Sequence, residues 1–584
     1  MQEDCKGIEL WRIPFNWVPK GQAFLRETLR QKDKDFLKRI LLIFADRLCN
    51  SAGGLFYFAL MKKGDFLNMN AFIEKVTEIN GVINTWIWTD FGLYLLLIAG
   101  VIMTAVTGVF QISHLKHWWV NTIMTIFKKD NTSTKKTDKK SISQFQALCT
   151  ALAATVGTGN IAGVAAAICI GGPGAVLWMW VAAFLGMMTN YSENVLGIFY
   201  RRKNKDGEWS GGAMYYLKDG MGKKKGLKWI ASVLAVLFAI FAILASFGIG
   251  NMGQVNKITL NMESAFFSNV EWNVGGVNMI NLIIGLVLLV IGALIIIGGL
   301  QRIASVAERV VPFMAVAYIV LGLILVGINY DLILPAFKSI FVHALGAKAL
   351  AGGAAGAALK LAIVQGCKRG VFSNEAGLGS SVMVHSSSNV KEPVKQGMWG
   401  IFEVFFDTMI VCTMTALIAL TSGFIDLETG VVAAGTNDAT LISKAFGNVY
   451  GQAGEWFVAI AMLLFAFTTV LGWSQYGSKA VEYLFGTKAV KVYKVIFVLM
   501  IVSGAVMTSS LAWDISDTFN GLMMIPNLIA VVLLSPLVFK ITRNYIDRKI
   551  KGKDVKPLYS YDEQIQAEAE ASPSDDVIIP AESK

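Results

Sequence analysis

Residues Ala154–Gly163 read ATVGTGNIAG, and residues Arg369–Gly379 read RGVFSNEAGLG. Both stretches interrupt long apolar runs with glycine and small polar residues. A helix in lipid satisfies its own backbone, so a break there frees N–H and C=O groups that hydrocarbon cannot pair. Such breaks persist where the freed groups line a wet cavity. A pair of them, one in each half of a chain, marks a binding site near the bilayer midplane.

The surrounding sequence supports a membrane setting. The 584 residues are 54% hydrophobic and only 16% charged, with a mean hydropathy of +0.54. A soluble fold needs more polar surface than this. Eleven candidate spans are read at about 91–111, 143–170, 172–197, 228–251, 278–300, 309–329, 353–386, 396–421, 453–475, 492–513 and 517–540. The net charge of +11 lies in loops between spans, not on a nucleic-acid-binding face. Lys128, Lys129, Lys135, Lys136, Lys139 and Lys140 follow the first span, and Arg201, Arg202, Lys203 and Lys205 follow the third. Smaller basic sets follow the fifth, seventh, ninth and eleventh spans, while the loops near 252–277, 422–452 and 512–516 carry few basic residues. This alternation obeys the positive-inside rule and places the C-terminus in the cytoplasm.

Residues 1–60 break the pattern. They are basic, yet fall outside by this count, and the run 52–61 is too short to span. They are expected to be a non-native or disordered extension, with Met61 as the natural start. No cleavable signal peptide is apparent. Residues 61–90 read as an amphipathic segment, 91–140 as an extra transmembrane helix with a basic loop, and 546–584 as a disordered cytoplasmic tail. The six cysteines show no metal-ligand spacing, and His114, His117, His343 and His385 are scattered at expected loop or interface positions. No GxSxG or HExxH motif points to an enzyme.

With the first span set aside, residues 141–330 and 349–545 form two groups of five spans, and each group opens with an interrupted segment. By the charge rule the groups run in opposite directions, as inverted copies do.

The breaks then suggest a chemistry. Gly157 and Gly159 permit backbone paths that other residues resist. The helix restarts near Asn160, where unpaired N–H groups and the positive end of the helix dipole suit a carboxylate. The half-helix before it ends in the carbonyls of Ala153, Thr155 and Val156, which suit a small hard cation such as Na⁺. A zwitterionic amino acid moving with Na⁺ fits both. The second break offers Phe372, Ser373, Asn374 and Glu375. Lys360, Lys368 and Arg369 precede it, with Glu375, Glu403 and Asp407 as available partners. Thr468 and Thr469 either complete an oxygen cage or bond their own helix carbonyls. Trp473 either walls a pocket or packs, and Asn251, Gln254 and Asn256 either line the site or cap a helix.

These residues resemble the alanine or glycine:cation symporter family of the amino acid-polyamine-cation superfamily. The matching stretches are FQALCTALAATVGTGNIAGVAAAI (Phe145–Ile168), GGPGAVLWMW (Gly171–Trp180), GGAMYY (Gly211–Tyr216), RGVFSNEAGLGSS (Arg369–Ser381) and, less closely, GWSQYG (Gly472–Gly477). The likeness covers about residues 80–545. It implies uptake of L-alanine or glycine with Na⁺ by alternating access, in a bacterial or archaeal plasma (inner) membrane. The implied fold is all-α and leucine-transporter-type: about 11 transmembrane helices in a 5+5 inverted repeat, one extra N-terminal helix and two broken helices. The likeness carries the cation onto the carbonyls of Ala153 and Val156 and the hydroxyls of Thr468 and Thr469. It carries substrate contact onto Thr155, Gly157, Gly159, Asn160, Gln254, Phe372, Asn374 and Trp473. Na⁺ is then the coupling ion, with no organic cofactor. The partners are the amino acid, Na⁺ and the bilayer, with no nucleic acid and no obligate protein partner. Asn190 and Ser192 depart from the family pattern, where lysine and alanine are expected. A proton-coupled carrier and an ion channel are the alternatives.

Overall fold

The computed structural model describes residues 69–579, apart from 129–133, 135–139, 275, 346–352, 439 and 508–509. The expected extension at 1–60 lies outside the described residues. Two compact units divide the chain, Met1–Val82 and Ile83–Lys584. The described part of the first belongs to helix α1 (Met69–Thr85). The second unit holds the remaining helices.

That unit opens with α2 (Gly92–Val106). Helix α3 (Gln144–Thr155) starts sharply because Ser143 and Gln146 cap one another. The Gln146 amide donates to Ser143 Oγ at 3.1 Å, and the Ser143 amide donates to Gln146 Oε1 at 3.2 Å. After the first break come α4 (Val164–Gly171), α5 (Ala175–Phe199), α6 (Lys228–Phe247), α7 (Gly253–Phe266), α8 (Met279–Ile296) and α9 (Leu300–Ile328). The second half contains α10 (Gly353–Asn374), α11 (Pro393–Val404), α12 (Thr413–Leu420), α13 (Gln452–Phe485), α14 (Thr487–Ala505), α15 (Ser510–Leu533) and α16 (Ser535–Tyr545).

Among the described residues, seven helices are long and apolar enough to cross a membrane, or eight if α3 and the segment after it count as one bent span. The expected spans at 172–197, 353–386 and 492–513 are helical as α5, α10 and α14, but fall outside that test. In α5 the reason is visible. Its second half carries Thr189, Asn190, Ser192, Glu193 and Asn194, all buried, so a helix wrapped by others is less apolar than one facing lipid. The outer helices show the reverse. Leu286, Val287, Val290 and Leu294 of α8 and Phe313, Val316, Val320 and Leu323 of α9 are exposed. Apolar side chains outside and ionisable ones inside is the arrangement a bilayer imposes.

Two helices organise the interior. α5 packs on α2, α10 and α11, and α13 packs on α3, α6, α7, α9 and α14. The approach of α13 to α3 is close, since a Cβ added at Gly472 would lie 2.6 Å from the Ala154 Cβ.

Two expectations need correction. The second break does not interrupt one long helix over 353–386. Instead α10 stops at Asn374, and only the single turn Val382–His385 follows before Pro393 starts α11. Glu375, Gly377 and Gly379 all have left-handed backbones, which end a helix. The tail is ordered through residue 579, with a helix α17 (Glu563–Ala571) capped by Asp562. Tyr559, Ile565, Ala569 and Ile578 bury themselves with Trp209. The acidic composition of the tail misleads because its partners are distant basic loops, not its own apolar run.

Candidate functional site

The first break is a bend of 54° between α3 and the helical segment from Gly159. Val156 leaves the helix (ψ 87), and a π-helical turn over Gly159–Gly163 resumes it without a side-chain cap. Neither Gly157 nor Gly159 has a left-handed backbone among the described glycines, so backbone freedom is not why glycine stands there. Space is the reason. A Cβ on Gly157 would overlap the Thr469 hydroxyl of α13, and one on Gly159 would meet the Phe372 ring at 3.2 Å. The two glycines let the break sit between α13 and α10.

A small buried cavity of about 10 Å³ opens at this crossing, room for about one water. Thr155, Gly157 and Gly159 form one wall, with Gln254 and Ile249 beside the break. Phe372 and Glu375 come from the second break, Thr469 and Trp473 from α13, and Asn520 from α15. The walls divide by chemistry. Ile249, Phe372 and Trp473 are apolar, and Gly250 lacks the Cβ that would strike the Trp473 ring. Thr155 Oγ1 and Asn520 Oδ1 are buried with no hydrogen-bond partner among the described residues. Gln254 Oε1 accepts from the Thr158 amide at 3.4 Å, and its Nε2 donates to the Ile249 carbonyl at 3.0 Å. The neighbouring amides go elsewhere: Asn251 donates to the Phe497 carbonyl and Asn256 to the Met507 carbonyl.

The expected residues thus separate into two sets. Thr155, Gly157, Gly159, Gln254, Phe372 and Trp473 line the cavity. Asn160 and Asn374 lie behind it. Asn160 Oδ1 accepts from the Gly157 amide at 2.9 Å, and its Nδ2 donates to Asp407 at 2.6 Å. Asn374 Nδ2 donates to Thr408 Oγ1 at 3.0 Å. Asp407 also accepts from Ser373 Oγ at 2.7 Å. One buried carboxylate, on the π-helical stretch Phe405–Cys412, therefore holds residues of both breaks.

Of the expected cation ligands, Thr469 lies against Gly157 where α13 crosses the break, while the Thr468 hydroxyl faces Met314 Sδ of α9 at 3.7 Å. Thr468 Oγ1 donates to the Phe465 carbonyl at 2.9 Å and Thr469 Oγ1 does so at 3.0 Å. Their protons are spent on their own helix, which leaves lone pairs for a cation. Thr469 is tight against Gly157, and the chain leaves helical geometry at Val156.

The basic residues before the second break find other partners than expected. Lys368 pairs with Asp517 at 2.7 Å and donates to Asn84 at 3.3 Å. The Arg369 guanidinium lies 5.9 Å from the Phe372 ring, and Lys360 is exposed. Glu375 instead accepts from Ser380 at 2.6 Å. His385, expected in a loop or interface, is fully buried against Glu403 at 2.9 Å. Asn190, one of the departures from the family pattern, donates to Ser381 at 3.2 Å and to Glu403 at 3.4 Å. Reading the sequence missed Ile249 and Asn520. The available signal for Asn520 is the cluster Asp517, Thr518 and Asn520 at the start of the last expected span.

Comparison with known proteins places the chain in a family. The family model described as the sodium:alanine symporter family matches residues 73–558. The sodium/alanine symporter AgcS of Methanococcus maripaludis is 41% identical over 483 residues, which cover 82% of this chain and all of that protein. The probable sodium/glutamine symporter GlnT of Bacillus subtilis is 36% identical over 485 residues, covering 82% of this chain and 93% of its own. Among solved structures, MhsT in complex with L-phenylalanine overlays on 70% of this chain and 99% of its own, at a TM-score of 0.44 and 13% identity. With a family model spanning most of its length and a relative matched from end to end, the chain belongs to the sodium:alanine symporter family.

Proposed function

We propose that the chain takes up a small neutral amino acid, L-alanine or glycine, together with Na⁺ by alternating access. Its family makes it a multi-pass membrane transporter that couples an amino acid to a cation, and not an enzyme. The finer reading rests above all on the lining of the cavity at the first break, where Ile249, Phe372 and Trp473 stand opposite the polar side chains of Thr155, Gln254 and Asn520. The two aromatic rings, Phe372 and Trp473, crowd this lining and favour the smallest side chains. A hydrophobic pocket separates substrates one methylene apart by only about 1–3 kcal/mol, so serine is expected to compete weakly.

In this reading the substrate carboxylate sits at the uncapped turn from Gly159, with Thr155, Gln254 and Asn520 as polar contacts. Na⁺ is held by the carbonyls of Ala153 and Val156 and by the hydroxyls of Thr468 and Thr469. The residues behind the cavity, Asn160 and Asn374, act as supports through Asp407 and Thr408. The bundle is read as eleven spans, α3–α9 and α10–α16 being inverted repeats, in a bacterial or archaeal plasma membrane with the tail in the cytoplasm. One Na⁺ moving down 100 mV supplies about 2.3 kcal/mol, enough for about a fiftyfold substrate gradient.

The test is uptake of labelled alanine into proteoliposomes. An inward Na⁺ gradient should drive it, choline in place of Na⁺ should abolish it, and unlabelled glycine should compete where glutamine does not. Uptake indifferent to Na⁺ but driven by a pH gradient would select the proton-coupled alternative.

A further inference from the structure

Three extended segments lie side by side at one end of the second unit. Ile142, next to the cap of α3, bridges Ser388 in parallel, and Val390 bridges Val577 of the tail in antiparallel fashion. The Asn389 amide donates to the Ile142 carbonyl at 2.9 Å. The Lys391 amide donates to the Asp576 carbonyl at 2.9 Å, and the Ile578 amide to the Asn389 carbonyl at 3.0 Å. The segment 387–391 thus has the start of the first broken helix on one side and the tail on the other.

The tail also reaches both halves of the bundle. On the second half, Arg548 grips Glu392 with two hydrogen bonds of 2.7 and 2.9 Å, Lys395 pairs with Asp576, and Lys391 Nζ donates to the Ser574 carbonyl at 3.1 Å. On the first half, the Tyr561 amide donates to the Phe199 carbonyl at the end of α5 at 2.9 Å, and Lys203 pairs with Glu568 at 2.7 Å. Trp209 completes the small apolar cluster under α17. These are backbone bridges, ion pairs and one small cluster, the kind of contact that opens well below the cost of unfolding a helix bundle.

We propose that residues 554–579 are a built-in latch that ties the loops of the two halves together and must release for this end of the transporter to open. The inference rests on the alternating-access reading, in which the two halves part at one face while closed at the other. This is the end that carries the basic loops around Arg201, which that reading places on the cytoplasmic side. The Ile142 segment continues directly into α3, and the 387–391 segment into α11. The latch therefore restrains the same elements that carry the first break and Asp407.

The test uses the full chain with Val390→Cys and Val577→Cys together, in proteoliposomes with an inward Na⁺ gradient and labelled alanine. Disulfide formation should slow uptake by roughly fivefold or more, and reductant should restore it. Each single variant and the unaltered chain should not respond to oxidation. Ile578→Pro, which lacks the amide that donates to Asn389, should raise the uptake rate above that of the unaltered chain. Full uptake with the crosslink complete overturns the latch while leaving the symport reading intact. An unaltered chain with no Na⁺-dependent uptake rejects the symport reading, and the latch with it.

Discussion

At the first break the turn from Gly159 has no side-chain cap, and the Thr155 hydroxyl has no partner among the described residues. At the second, nearly every polar group is already answered by the protein. Asn374 Oδ1 accepts from the Ala376 amide at 3.0 Å, and Ser380 donates to Glu375. Glu193 comes in from α5, bonded to Asn527. Asn527 also donates to the Gly377 carbonyl at 2.9 Å. Two stretches of similar composition therefore do different things. The second holds a carboxylate of the chain itself where the first, on the proposed reading, receives one from outside. Glycine marks a place where a helix can end, and the neighbours decide whether that place becomes a binding site or a joint.

Substitutions can break or sharpen this contrast. The largest effect is expected at the open break. Gly157→Val drives a branched side chain into Thr469 and should cut Na⁺-driven uptake by roughly a hundredfold, with the same amount of protein recovered in the membrane. Normal uptake would remove the first break from the site. At the closed break the loss should fall on folding. Gly377 has φ +91 with Leu528 and Leu96 close by, so Gly377→Ala should cost about 1–2 kcal/mol of stability. That would read as a lower melting temperature in detergent, with the Na⁺ half-saturation unchanged. A shift in that constant would make the second break part of the ion site. The smallest effect is expected for Thr469→Ala, which should raise the Na⁺ half-saturation about fivefold while alanine affinity at saturating Na⁺ changes little. Equal changes in both would return Thr469 to a packing duty.

The sequence made the positions of both breaks legible because glycine and small polar residues are conspicuous within apolar runs. It misstated why Gly157 and Gly159 are glycines, since the demand comes from Thr469 and Phe372, more than 200 residues away. The grouping of Asn160, Ser373 and Asp407 was hidden for the same reason. The three come from separate stretches of the chain. Apolar runs betrayed the helices facing lipid, α8 and α9, more strongly than α5, whose buried polar residues dilute its hydropathy. The order of the tail could not be read locally, because Glu392, Lys395, Lys203 and Trp209 supply it from elsewhere in the chain.

The bridge from Ile142 through Ser388 and Val390 to Val577 has a consequence for biosynthesis. Residue 577 is made after every helix of the bundle, so the first two strands of this small ladder must wait for the third until translation has passed them all. A chain cut short by a stop codon or a protease beyond Tyr545 would insert with its membrane helices complete but without its final fastening.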